Sequence, residues 1–145
     1  MNAKSVATIL EREAAATIKE WLRRVDLLPE LTRIPLNDED RTGHLLKLFH
    51  DLTRRLRLAK DAHLPTPGGA IAHGRRRRDQ GYSPALLVEE SRLFQVVTFR
   101  TLHLHKSELD QDQLLLDIMV IADEVDLQLM HAMKGFGTKI TQPAA

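Results

Sequence analysis

The chain holds 145 residues, enough for one domain with a single hydrophobic core. Apolar residues make up 43% and charged residues 28%, which argues against a disordered chain; a formal charge of +1 leaves no global field for nucleic acid or an anionic membrane. Cysteine is absent, which excludes disulfides, thiolate metal sites and a thiol nucleophile.

No strand-like alternation of useful length occurs, whereas the helical period recurs throughout. The opening residues lack the continuous apolar core of a signal peptide. Over 3–28, Ala7, Leu10, Ala14, Ile18, Trp21, Val25 and Leu28 follow at steps of three or four, which predicts one helix with a buried stripe. The two prolines of LLPELTRIPL then break it. Asn37 reads as an N-cap, with Asp38, Glu39 and Asp40 placing negative charge at the helix start. The helix it opens buries Leu45, Leu48, Phe49, Leu52, Leu56 and Ala59, and HLPTPGG (63–69) reads as a loop.

A short helix over 70–80 ends at Gly81, a residue able to take the left-handed geometry. Ser83 and Pro84 restart the chain as N-cap and first helical residue of a helix reaching about His105. Ser107 is expected to open a final helix to Lys134, stopped by Gly135 and Gly137, with 138–145 as a tail or linker. Its most apolar run, LLLDIMVIA (114–122), is too short for a membrane span and carries an aspartate, so a cytoplasmic protein with no membrane partner is expected. The fold class is all-α: a single domain, residues 1–137, of about five main helices with a long last one.

Two features stand out against this pattern. Leu86, Leu93 and Val97 form the central stripe of the fourth helix, and Glu90 falls among them, so its carboxylate needs a partner. In the preceding short helix His73, Arg77 and Gln80 share one face, and Gly74 beside them lets another backbone approach closely. Arg77 is therefore expected to turn inward toward Glu90, while Arg75, Arg76 and Arg78 spread over other faces. In the last helix Leu115, Ile118, Ala122, Val125 and Leu129 form a core stripe. Leu116, Met119, Val120, Leu127 and Met130 remain for a second surface, most simply a homodimer interface.

The block HGRRRRDQGYSPALLVEESRLF resembles the pattern His-Gly-x-x-Arg-x-x-Gln-Gly-Tyr-Ser followed by a hydrophobic-Glu-x-x-Leu helix. This is similar to the N-terminal helical domain family of the RsbT co-antagonist proteins, regulators of the stressosome type. The module also stands at the front of some sensor histidine kinases and transcriptional regulators. The resemblance sets His73, Gly74, Arg77, Gln80, Gly81, Tyr82 and Glu90 in register, and IKEWLRRV (18–25) is similar to the family's first helix. It implies a helical signal-input or interaction domain serving an output module, and related regulators carry globin-like N-domains without haem.

For His73, Arg77, Gln80, Tyr82 and Glu90 two readings stand: a buried polar clamp, or the floor of a pocket for a small polar or anionic ligand. The arginine run with a single nearby ring, Tyr82, reads as a solvated face and not as a nucleic-acid surface. His103 and His105 are two apart on a helix and cannot jointly grip one ion; either is a candidate haem ligand only in a less favoured haem-binding sensor reading. His50, in a segment faintly like a kinase phosphoacceptor box, lies on the polar side of its helix. No phosphate loop or serine–histidine–aspartate signature occurs, so a non-enzymatic sensor or regulatory domain without cofactor or metal is expected, with a ligand-free scaffold as the alternative.

Overall fold

The computed structural model describes residues 2–58 and 68–137, and its regular structure is helical throughout. In chain order the elements are α1 (Val6–Arg12), α2 (Ala14–Asp26), α3 (Pro29–Thr32), α4 (Asp38–Thr42), α5 (Leu45–Arg57), α6 (Gly68–Asp79), α7 (Pro84–Leu104), a 3₁₀ turn (Lys106–Glu108) and α8 (Gln111–Gly137). The chain is an all-α bundle with a long last helix.

Local chemistry accounts for most boundaries. Ser5 caps α1 by accepting from the Thr8 amide, Asn37 caps α4 by accepting from the Asp40 amide at 2.7 Å, and Ser83 caps α7 with Pro84 at its first position. The first expected helix is interrupted at Glu13, whose φ of −99° and ψ of 13° depart from helical values. Its apolar stripe carries across the break, so Ile9, Leu10, Trp21 and Val25 are all buried. The helix opened by Asn37 likewise ends at Gly43 and resumes at Leu45, which sets α5 at a new angle and leaves His44 at the bend. Ala59, most of the 63–69 loop and the 138–145 tail lie outside the described residues; Gly68 and Gly69 already belong to α6.

α7 forms the spine: α1, α2 and α8 pack against it, α5 packs on α1 and α8, and α6 lies along α8. Phe49 of α5 meets Phe94 of α7 edge-on, with ring centroids 5.1 Å apart, at the centre of the core.

The last helix departs from the expectation at both ends and in rotation. It begins at Gln111, because Lys106–Glu108 closes a 3₁₀ turn and Asp110 then accepts from the Asp112 amide. It runs through Gly135 to Gly137 without stopping. Leu115, placed on the core stripe by periodicity, is 68% exposed; the buried line is Ile121, Val125, Gln128, Ala132 and Gly135, with Glu124 beside it. The helix is apolar on most faces, so periodicity alone leaves its rotation poorly determined. Two polar contacts select it: Arg55 of α5 donates to Glu124 at 3.2 Å, and Gln128 donates to the same carboxylate at 2.9 Å. Among the described residues no helix is long and apolar enough to cross a membrane.

Candidate functional site

The site is assembled by the way α6 ends. The Gly81 amide donates to the Arg78 carbonyl and the Tyr82 amide to the Arg77 carbonyl, both at 3.0 Å, while Gly81 takes a φ of +98°. This is the Schellman closure, which an L side chain at position 81 would strain. Its consequence is spatial. The turn folds Tyr82 back under Arg77, whose guanidinium carbon lies 4.7 Å from the ring centroid.

Arg77 is fully buried, and each of its five N–H groups has an acceptor to meet. Nε donates to Glu90 Oε1 at 3.0 Å, and Nη1 to Gln80 Oε1 at 2.7 Å and to the Asp40 carbonyl at 3.4 Å. Nη2 donates to the Arg41 carbonyl at 2.6 Å and faces His44 Nδ1 at 3.4 Å. The Asp40 and Arg41 carbonyls belong to the last turn of α4, where the break at Gly43 removes their helical donors. One guanidinium thus caps α4, holds the end of α6 and neutralises α7.

Glu90 is 3% exposed. Its second oxygen accepts from the Tyr82 hydroxyl at 2.7 Å, and that hydroxyl accepts from Arg41 Nη1 at 3.0 Å. Arg41 is itself buried and also donates to the Ile34 carbonyl at 2.6 Å. Burial pushes the Glu90 carboxyl above its ordinary value, against Arg77 and Tyr82, which hold the anion. Trp21 closes the other side by donating Nε1–H to the Glu90 carbonyl at 3.1 Å.

Next to this cluster the rings of His44 and His73 stack face to face, centroids 3.6 Å apart and planes 16° apart. Burial and the nearby guanidinium groups disfavour charge on either ring: His44 is lowered, and His73 falls to about 3. Both line a small cavity of about 40 Å³ where α5, α6, α7 and α8 meet. Its walls are mostly apolar, including Leu45, Leu48, Phe94 and Leu129, and its polar lining comes from the two histidines, Glu90, Ser91 and Gln128.

A pH dependence follows. Unfolded His73 takes a proton near its ordinary value of 6.5, folded His73 only near 3, so between these values the unfolded chain binds the extra proton. Stability is therefore lost as pH falls through this window. Between pH 7 and pH 5 this histidine contributes a loss of about 2 kcal/mol. From pH 7 to pH 5 the unfolding free energy in urea is expected to fall by about 2 kcal/mol more for wild type than for His73→Gln.

The remaining residues singled out by sequence are placed as follows. Arg75 and Arg76 are exposed, and Arg78 donates to the Phe136 carbonyl at 3.2 Å. Gly74 lies against α8: a Cβ there would stand 1.8 Å from the Ala132 carbonyl oxygen, and one on Gly135 2.0 Å from that of Ile71. Leu116, Met119, Leu127 and Met130 are exposed and Val120 is half-buried. His103 is exposed, and His105 belongs to a surface cluster with Arg12, Glu13 and Glu108, away from the cavity lining. Sequence reasoning missed Arg41 and His44. The uncapped end of α4 at Gly43 is the signal that points to both.

Comparison of the chain with family models, curated proteins and solved structures gives no match.

Proposed function

We propose that this chain is a non-enzymatic, cytoplasmic signal-input domain of the kind its resemblance to the RsbT co-antagonist N-terminal family implies. A ligand or partner acts where α5 to α8 meet, and α8 hands the change to an output module by a population shift. One observation carries this reading. Ala132 lines the cavity, and its carbonyl lies directly beneath Gly74, with Gly135 beneath Ile71 in the reciprocal contact. No side-chain layer separates α6 from α8 there, so displacing one backbone displaces the other.

Filling the cavity by mutation tests the coupling without knowing the signal. Ser91→Leu, on the cavity wall, is expected to change amide hydrogen exchange in α6 and in residues 129–137 of α8. A change confined to the surroundings of residue 91 would remove the proposed route. The exposed Leu115, Leu116, Met119, Leu127 and Met130 favour a second copy of the chain along α8. Light scattering at high concentration is expected to give the mass of a dimer, and a strict monomer there would remove that part.

The ligand-free scaffold has one observation on its side, since every N–H of Arg77 is engaged within the protein. A scaffold predicts a melting temperature that no small molecule shifts.

A further inference from the structure

We infer that the cavity binds one divalent transition-metal ion of the zinc class, held by imidazole nitrogens of His44 and His73 and by the Glu90 carboxylate, with water completing the coordination. The inference names the ligand of the signal-input reading and rests on that reading for its consequence, though not for binding itself.

Three elements bring these donors together. His44 stands at the bend before α5, His73 on α6 and Glu90 on α7, and their ligand atoms lie within 4.8 Å of one another. His73 makes no hydrogen bond to the described residues, and the buried polar atom without a partner among them is His131 Nδ1, so the His73 ring nitrogens stay accessible beside the cavity. Burial keeps both imidazoles neutral near pH 7, and each offers a lone pair without first losing a proton. About 40 Å³ is room for one ion and a water, and too little for an organic ligand. Glu90 is already oriented from behind. Arg77 Nε and the Tyr82 hydroxyl each take one lone pair of its two oxygens and leave the others, the kind of support that fixes a carboxylate ligand in a metal site.

Donor chemistry selects the ion. Two imidazoles and one carboxylate suit zinc and its neighbours, whereas magnesium and calcium require oxygen ligands. Arg77 and Arg41 oppose the added charge, so the affinity falls short of a closed structural zinc site. Binding also moves the site. Tetrahedral ligands stand about 3.4 Å apart, closer than the 4.8 Å spread of these donors, and two lone pairs aimed at one ion cannot run parallel as they do in the stacked rings. One ring therefore turns. His44 is the half-buried one, and its contact with Arg77 Nη2 is long at 3.4 Å, while Nη2 keeps the Arg41 carbonyl at 2.6 Å. The turn draws α5, α6 and α7 together where α8 closes the cavity.

Trp21 is the sole tryptophan, and its ring stands edge-on to His44 at 6.1 Å, so its fluorescence reports on the site. The untagged chain, stripped with EDTA, is titrated with zinc chloride and with magnesium chloride, read by calorimetry and by Trp21 emission. One zinc per chain is expected, with a change in Trp21 emission, and no magnesium. His73→Gln and, separately, His44→Gln are expected to weaken zinc at least about tenfold. His105→Gln is expected to leave zinc binding unchanged; that histidine lies beside Glu13 and Glu108 on the surface and is the competing place for an ion. No zinc binding by the wild type, or binding that His105→Gln abolishes while His73→Gln and His44→Gln retain it, would overturn the inference. Zinc bound at the cavity with α8 hydrogen exchange unchanged would keep the site and remove the signal-input reading instead.

Discussion

Replacing Gly74 with alanine is expected to lower the melting temperature by roughly 10 °C. The new methyl would stand 1.8 Å from the Ala132 carbonyl oxygen and 2.6 Å from its carbon. Neither atom belongs to a flexible side chain, so the backbones of α6 and α8 must shift apart at this contact. Overpacking against backbone sits at the upper end of its usual cost, about 3 kcal/mol, and alanine's better helix propensity offsets only about 1 kcal/mol of it. Gly137→Ala is the matched control, because a Cβ there meets nothing within 4 Å. That variant is expected to melt within a few degrees of the wild type in thermal denaturation, which separates the steric effect from any general effect of losing a glycine from these helices.

Arg77→Met is expected to be the most damaging single change that keeps the volume of the site. It leaves the Glu90 carboxylate buried without its cation and the Asp40 and Arg41 carbonyls without their donor. Removing one partner of a buried pair costs about 3–5 kcal/mol, far more than the pair itself contributes relative to an apolar replacement. Chemical denaturation measures it directly. The loss is expected to loosen α4 first, since its last turn has Arg77 as its cap.

Much of this was legible before the fold was known, and the reason differs from element to element. Glu90 is legible because an acid among apolar residues such as Leu93 and Val97 is costly without a partner; the structure buries Leu87 beside it, where the period places the half-buried Leu86. Gly81 and Ser83–Pro84 marked a helix end and a helix start because only a few residue types suit those backbone geometries. Arg41 was hidden for the opposite reason. It follows three acids in the first turn of a helix, where an arginine reads as a solvated charge, and only the three-dimensional return of Tyr82 buries it. His44 was hidden by the break at Gly43, which periodicity carried straight through.

The last helix shows the limit of pattern reading most clearly. Apolar residues on nearly every face allow several rotations of α8, and the helical period places Leu115 inward although it faces solvent. Glu124 and Gln128 face inward because Arg55 waits on α5, a partner nearly seventy residues away in the chain. Periodicity counts methylenes on a face; it carries no term for a distant guanidinium.

A double-mutant cycle between Arg77→Met and Glu90→Gln tests most directly whether the two side chains act as one buried unit. If they do, the double variant is about as stable as, or more stable than, Arg77→Met alone, and the coupling exceeds about 2 kcal/mol. Losses that simply add would contradict the account, because residue 90 would then sit in the fold without depending on residue 77 for its charge.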